Sequence, residues 1–143
     1  MEFNAKFFSE LTTHELYEII KSRLEIFTVE QKIAYQDLDN IDYDALHCFF
    51  CEDGKILAYL RAFRIDDNTI KLGRVLTLSH GDGLGRKLME KSLDAVKDAF
   101  DFKTIHISAQ KYAIGFYEKF GFDVISGVYL EDGIEHVSMD LNI

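Results

Sequence analysis

Residues 70–85 read Ile70-Lys71-Leu72-Gly73-Arg74-Val75-Leu76-Thr77-Leu78-Ser79-His80-Gly81-Asp82-Gly83-Leu84-Gly85, a β-type run that enters a glycine-rich turn. Beyond the turn, Leu84, Leu88, Met89, Leu93, Val96 and Phe100 recur at helical spacing. The stretch therefore predicts a strand, a turn and a helix start. A helix start exposes N–H groups without intrahelical partners and carries about half a positive charge, and glycines let a bulky anion approach them closely. Arg86, Lys87 and Lys91 supply cations directly afterwards. Such a corner is suited to phosphate.

Working outward, Thr12-Thr13-His14-Glu15 has the form of a capping box, and Leu16, Ile19, Ile20, Leu24 and Phe27 continue at helical spacing. A first helix from about Thr13 to Phe27 is expected. Val29 to Asp44 reads as irregular structure or a short helix. Leu46 to Glu52 and Ile56 to Ile65 flank Asp53-Gly54, a pair that favours a tight hairpin, and Asp66-Asp67-Asn68 leads into the strand from Thr69 to Leu78. Thr104 to Ser108 predicts a strand that lies parallel to Thr69–Leu78, because a strand, helix, strand crossover places the two strands side by side. A short helix from Ala113 to Phe120 and strands at Asp123–Tyr129 and Glu135–Leu141, joined through Glu131-Asp132-Gly133, complete the chain. The expected architecture is one three-layer α/β domain over residues 1–143, with a mixed, mostly antiparallel sheet and helices on both faces.

The composition narrows the function. The chain has 143 residues, 48% of them hydrophobic and 13% aromatic, enough for one packed core. No apolar run approaches the roughly 20 residues needed to cross a bilayer, so a soluble cytoplasmic protein is expected. Sixteen Lys and Arg against 25 Asp and Glu give a formal charge of −9, which disfavours nucleic acid and anionic membranes as partners. Cys48 and Cys51 form a C-x-x-C, but in a strand residues three apart point to opposite faces, and no second cysteine pair exists to complete a metal site. No metal is expected.

Spacing separates the common glycine turns. A P-loop requires G-x-x-x-x-G-K-[ST], whereas Arg86 and Lys87 follow Gly85 without a Ser or Thr for Mg²⁺. A dinucleotide turn requires G-x-G-x-x-G, whereas Gly81, Gly83 and Gly85 alternate and no acidic residue ends the next strand at Ser108-Ala109-Gln110. A simple sharp turn before a helix remains the alternative.

A second segment adds to the pattern. Gln110-x-x-Ala113-x-x-Phe116-Tyr117-Glu118-Lys119-Phe120-Gly121-Phe122, taken with the glycine turn, resembles the paired motifs of the GNAT superfamily of N-acetyltransferases. Phe27-Thr28-Val29-Glu30-Gln31 with Tyr35, Asp39, Asp42 and His47, Gly73-Arg74-Val75, and Glu131-Asp132-Gly133-Ile134-Glu135-His136 with Met139 are similar to the ElaA-like branch. His80 stands where the family commonly has Arg or Gln, and Gln110 where Asn is usual.

The resemblance implies an acetyl-CoA-dependent transfer to a primary amine of a small molecule or peptide, by direct attack. It also implies a parallel strand pair at the cofactor site. Val75, Leu76 and Thr77 would pair their backbone with the pantetheine arm, and His80, Gly81, Asp82, Gly83, Leu84, Gly85 and Arg86 would receive the pyrophosphate. Gln110, Ala113 and Phe116 complete the implied cofactor contacts. Tyr117 is the expected general acid, because a phenol stays protonated at neutral pH and can hand a proton to a departing thiolate. For the base, Glu30, His47, Glu131 and His136 all qualify chemically, with Glu30 and His47 placed first because they flank the acidic segment Asp37–Asp44. Arg74 and His136 are expected to contact substrate, although Arg74 could equally pair with a nearby acid. Asp39, Asp42 and Asp44 could draw in a cationic amine or form a solvated loop.

Two other functions fit the same residues: a non-catalytic acyl-CoA-binding or sensor module, and an interaction domain using the aromatic hairpin of Phe49, Phe50, Tyr59 and Phe63. A homodimer is left open.

Overall fold

The protein is seen here in a computed structural model that describes residues 1–33, 36–79 and 81–143. Tyr35 and His80, both singled out above, lie outside the described residues. Eight strands form one sheet in the order β1-β2-β3-β4-β5-β8-β6, with β7 also paired to β8. The strands are β1 (Glu2–Phe7), β2 (Leu46–Glu52), β3 (Lys55–Asp66), β4 (Thr69–Thr77), β5 (Thr104–Gln110), β6 (Asp123–Val124), β7 (Tyr129–Glu131) and β8 (Ile134–Asn142). The helices are α1 (Thr13–Arg23), α2 (Leu84–Ala99) and α3 (Ile114–Glu118). All neighbouring strands pair antiparallel except β4 and β5, which are parallel as the crossover requires.

Local chemistry explains the elements. Thr12 accepts from the Glu15 N–H at 3.0 Å while Glu15 accepts from the Thr12 N–H at 2.8 Å, so the capping box starts α1. Asp53 and Gly54 have φ of +53° and +75°, the left-handed pair a two-residue hairpin demands. Asp132 and Gly133 repeat that geometry, with φ of +52° and +77°, between β7 and β8.

Four features differ from the sequence expectation. β1 is an additional strand; its six residues alternate too weakly to signal one, yet all of them pair with β2. α1 does not run on to Phe27: it ends at Arg23 and widens into a π-helical segment, Leu24–Glu30, closed by Gln31 N–H donating to Ile26 O at 2.9 Å. α3 is shorter than expected and is entered through a 3₁₀ turn over Lys111–Ala113. The strand expected at Asp123–Tyr129 is split into β6 and β7, because the Ser126 hydroxyl takes the Ser138 N–H at 2.9 Å in place of a backbone carbonyl.

Two apolar clusters hold the layers together. On one face α2 buries Leu84, Leu88, Met89, Leu93 and Val96 against Cys48, Leu60, Leu72, Ile107 and Met139 of the sheet, and Tyr117 and Phe122 extend this core. On the other face Ile19, Ile26 and Phe27 pack on Phe49, Tyr59 and Leu76. The two cysteines are divided in the same way: Cys48 lies in the α2-side core, where burial pushes its thiol up to about 12, and Cys51 packs against the opposite cluster. Phe49 and Tyr59 are fully buried and Phe50 nearly so, which leaves Phe63, itself partly buried, as the one accessible ring of the four in the expected aromatic contact face. No helix among the described residues is long and apolar enough to cross a membrane.

Candidate active site

The site begins where β4 and β5 part. Their parallel pairing covers only Thr69–Leu72 with Thr104–Ile107, after which β4 stays with β3 and β5 with β8. Divergence is sharpened by a bulge, since Gly73 pairs with Arg61 and Leu76 with Tyr59, leaving Arg74 and Val75 opposite the single residue Leu60. Arg74 takes φ of +53° to make it. One edge of β4 over residues 73–77 therefore has no strand partner among the described residues. A backbone edge of this kind can accept an extended ligand as an added strand.

The gap opens into a cleft of about 340 Å³. Its walls include Phe27 from the π-helical segment and Gln31 just after it, Arg74 and Val75 from β4, Ser108 and Gln110 from β5, Ala113 and Tyr117 around α3, and Glu131 and His136 beside the β7–β8 turn. The structure thus gathers Arg74, Val75, Gln110, Ala113, Tyr117 and His136 around one space. Leu76 turns its side chain into the core, so only its backbone can serve the cleft.

At the mouth of β4 the glycine turn behaves as its composition suggests. Gly81 and Gly83 have φ of +80° and +75°, and a Cβ at either would meet no heavy atom within 4 Å. Gly85 is more closely surrounded: a Cβ there would stand 3.6 Å from the Phe116 ring and 3.8 Å from the Thr77 methyl, which places the start of α2 beside α3 and β4. The first backbone bond of the helix runs from Lys87 N–H to Gly83 O at 3.1 Å. Asp82 takes the Leu84 N–H at 3.0 Å and the Ser79 hydroxyl at 2.8 Å, and those bonds hold its carboxyl below the usual range. The N–H groups of Gly85 and Arg86 remain beyond the reach of any helix carbonyl. Open approach at two glycines, two orphan donors and the adjacent cations Arg86 and Lys87 fit a diphosphate, with the Asp82 charge opposing it.

Tyr117 is only 7% exposed, beside Phe116 and Phe122 with ring centroids 5.2 and 6.0 Å away. Burial, with a smaller contribution from Tyr112, pushes its phenol above the ordinary value. The hydroxyl stays protonated across the neutral range.

On the same cleft, His136 Nδ1 lies 2.7 Å from Ile134 O. A carbonyl can only accept, so Nδ1 carries a proton and Nε2 is the ring nitrogen left to exchange one. Nε2 is 3.5 Å from Glu131 Oε2, and the Tyr129 ring stacks on the imidazole at 6.2 Å. Ser108 joins this group through its hydroxyl, which bonds the Tyr129 hydroxyl and lies 3.4 Å from both Glu131 oxygens.

The remaining candidates sit elsewhere. Glu30 is exposed at the end of the π-helical segment and does not line the cleft. His47 is sealed, with Nε2 donating to Asp42 O at 2.9 Å and Nδ1 accepting from the Tyr59 hydroxyl at 2.6 Å. Burial is the main reason its pKa is lowered, so it rests neutral in the interior. Of the three acids expected to draw in a cation or to form a solvated loop, Asp39 and Asp42 are held by arginines, as is Asp37, while Asp44 is exposed. Ser108 was missed by sequence reasoning; the only signal available was its position between Ile107 and Ala109, which point to the α2-side core.

A family model described as an acetyltransferase (GNAT) domain matches residues 12–143. The chain belongs to the GNAT acetyltransferase family. It lies in the ElaA-like branch, being 34% identical to protein ElaA of Escherichia coli over 92% of this chain and 90% of that one. A UPF0039 protein of Schizosaccharomyces pombe is 40% identical over 100% of this chain and 98% of its own. Among solved structures, E. coli ElaA superposes with a TM-score of 0.93 at 31% identity, covering 99% of this chain and all of that one. An acyl-CoA N-acyltransferase from Pseudomonas aeruginosa gives 0.92 at 36% identity and covers 99% of both chains. Membership in this GNAT family supports acyl transfer as the general activity.

Proposed function

We propose that this GNAT protein, acting as one domain over residues 1–143, transfers an acetyl group from acetyl-CoA to a primary amine of a small molecule or peptide by direct attack. The observation that carries this reading is the unpaired edge of β4, which starts at a cleft lined by Tyr117 and leads along the chain to the glycine-framed start of α2. Bound acetyl-CoA supplies an activated acyl carbon on a thiol leaving group.

The chain's own residues supply the rest. The backbone of Val75, Leu76 and Thr77 holds the ligand as an added strand, and its N–H groups offer donors for charge that builds on the acyl oxygen. Gly81, Gly83, Gly85 and Arg86 accommodate the diphosphate, while Gln110, Ala113 and Phe116 border its extended arm. Tyr117 donates its proton to the departing sulfur. Arg74, at the cleft wall, orients the acceptor. Neither cysteine lies on the cleft, which leaves direct attack as the simplest route.

The test combines binding and turnover. Acetyl-CoA should raise the Tm, as any ligand specific for the folded state does, and thiol release should follow with members of a primary-amine panel. Tyr117→Phe should keep the Tm shift and lose about 100-fold or more in turnover, the range expected for a lost general acid. A Tm shift with no thiol release for any amine would point to an acyl-CoA-binding module instead.

A further inference from the structure

Resting on the transferase reading, we propose that His136 is the proton acceptor for the incoming amine, with Glu131 holding the ammonium against it. The argument starts from the β7–β8 hairpin. Its Asp132-Gly133 turn fixes Glu131 and Ile134 as directly paired residues, and His136 follows on the same edge opposite Tyr129. The bond from Nδ1 to Ile134 O keeps a proton on that nitrogen, so proton exchange falls to Nε2 beside the Glu131 carboxylate. The stacked Tyr129 ring holds the imidazole plane. Tyr129 is held in turn by Ser108 and by Ser138, the latter at 3.3 Å.

Topology brings this group to the acid. His136 pairs in register with Gln110, the last residue of β5, and the chain turns from there through Ala113 into α3 and Tyr117. Base and acid therefore border the same cleft from adjacent elements. The other ionisable candidates fail on geometry, since His47 has both nitrogens engaged in the interior and Glu30 lies outside the cleft. The substrate class follows: a protonated primary amine, drawn by Glu131 and Asp132, which both line this end.

The proton balance closes. The ammonium loses one proton to His136 Nε2, which returns it to solvent, and its nitrogen then forms a bond to the acyl carbon as the carbon–sulfur bond breaks. Tyr117 protonates the sulfur and is made good by the second proton leaving the nitrogen. The sum is ammonium plus thioester giving amide, thiol and one released proton.

The experiment measures thiol release with acetyl-CoA and a panel comprising a diamine, an amino-acid amide and a peptide with a free N-terminus, for wild type, His136→Gln and Glu131→Gln. Wild type should be active on at least one amine. His136→Gln should fall about 100-fold or more at neutral pH, recover progressively as pH rises toward the amine's own pKa, and keep the Tm shift with acetyl-CoA. Glu131→Gln, at a half-exposed position that folding tolerates, should raise KM for the amine more than it lowers kcat. Wild type active with His136→Gln equal to it at every pH overturns this assignment alone. Wild type silent toward every amine overturns the transferase reading and this inference together.

Discussion

Arg74 Nε lies 2.9 Å from Asp37 Oδ1, and this pair ties the wall of the cleft to a closed ring of alternating charges. Asp37 also contacts Arg23 Nε at 2.9 Å, a charge contact rather than an aligned hydrogen bond, and Arg23 reaches Asp42 at 2.7 Å. Asp42 meets Arg61 at 2.9 Å, and Arg61 grips Asp39 with two bonds of 2.8 and 2.6 Å. Asp39 returns to Arg74 at 3.5 Å. Three arginines and three aspartates thus join α1, the 37–42 segment, β3 and the β4 bulge. Arg74 is positioned from behind by this ring while it lines the cleft.

Breaking the ring at Asp37 should be costly. Its side chain is 2% exposed, and Arg23, at 1%, would be left with one fewer counter-charge. Asp37→Ala should destabilise the fold by about 3–5 kcal/mol, the range for one partner removed from a buried ion pair, as measured by urea unfolding. Arg74→Ala, at a more exposed site, should cost less stability and raise KM for the acceptor.

Acid should loosen the same ring. Hydrogen bonds from Arg61 hold the Asp39 carboxyl down to about 2, against an ordinary 3.8. Asp42 is also lowered, Arg23 and Arg61 overcoming the opposing effect of its burial. A folded-state pKa below the unfolded one gives stability that is present above the unfolded value and lost as pH falls through the folded one. Stability should therefore drop between about pH 4 and pH 2. Asp39→Asn should flatten that part of the urea-midpoint profile, and an unchanged slope would remove Asp39 as a contributor.

The glycine turn offers a separate test. Gly81 has φ of +80° with open space around an added Cβ, so Gly81→Ala should strain the backbone without a clash and cost about 1–2 kcal/mol of stability. The methyl would also stand where an anion must approach, so the Tm shift with acetyl-CoA should shrink by more than half. Gly127→Ala, equally open but outside the left-handed region and remote from the turn, should leave that shift unchanged.

Much of this was legible in the chain. The capping box, both Asp-Gly hairpins, α2 and the parallel β4–β5 pair all follow from local residue chemistry or from the handedness of a crossover. β1 was not, because an edge strand with weak alternation is specified by its partner. The break between β6 and β7 was equally hidden, since it depends on Ser126 reaching the Ser138 N–H from across the ladder.

The candidate site divides along the same line. By itself the sequence determined the glycine-framed helix start, the position of Tyr117 two turns past β5 and the hairpin carrying Glu131 and His136, because turn geometry and periodicity act over a few residues. Only the tertiary structure decided that His47 is sealed, that the acidic segment closes on three arginines, and that Nε2 of His136 is the nitrogen left to face Glu131. Those outcomes turn on desolvation and on charges brought together from residues far apart in the chain, and neither exists until the chain has folded.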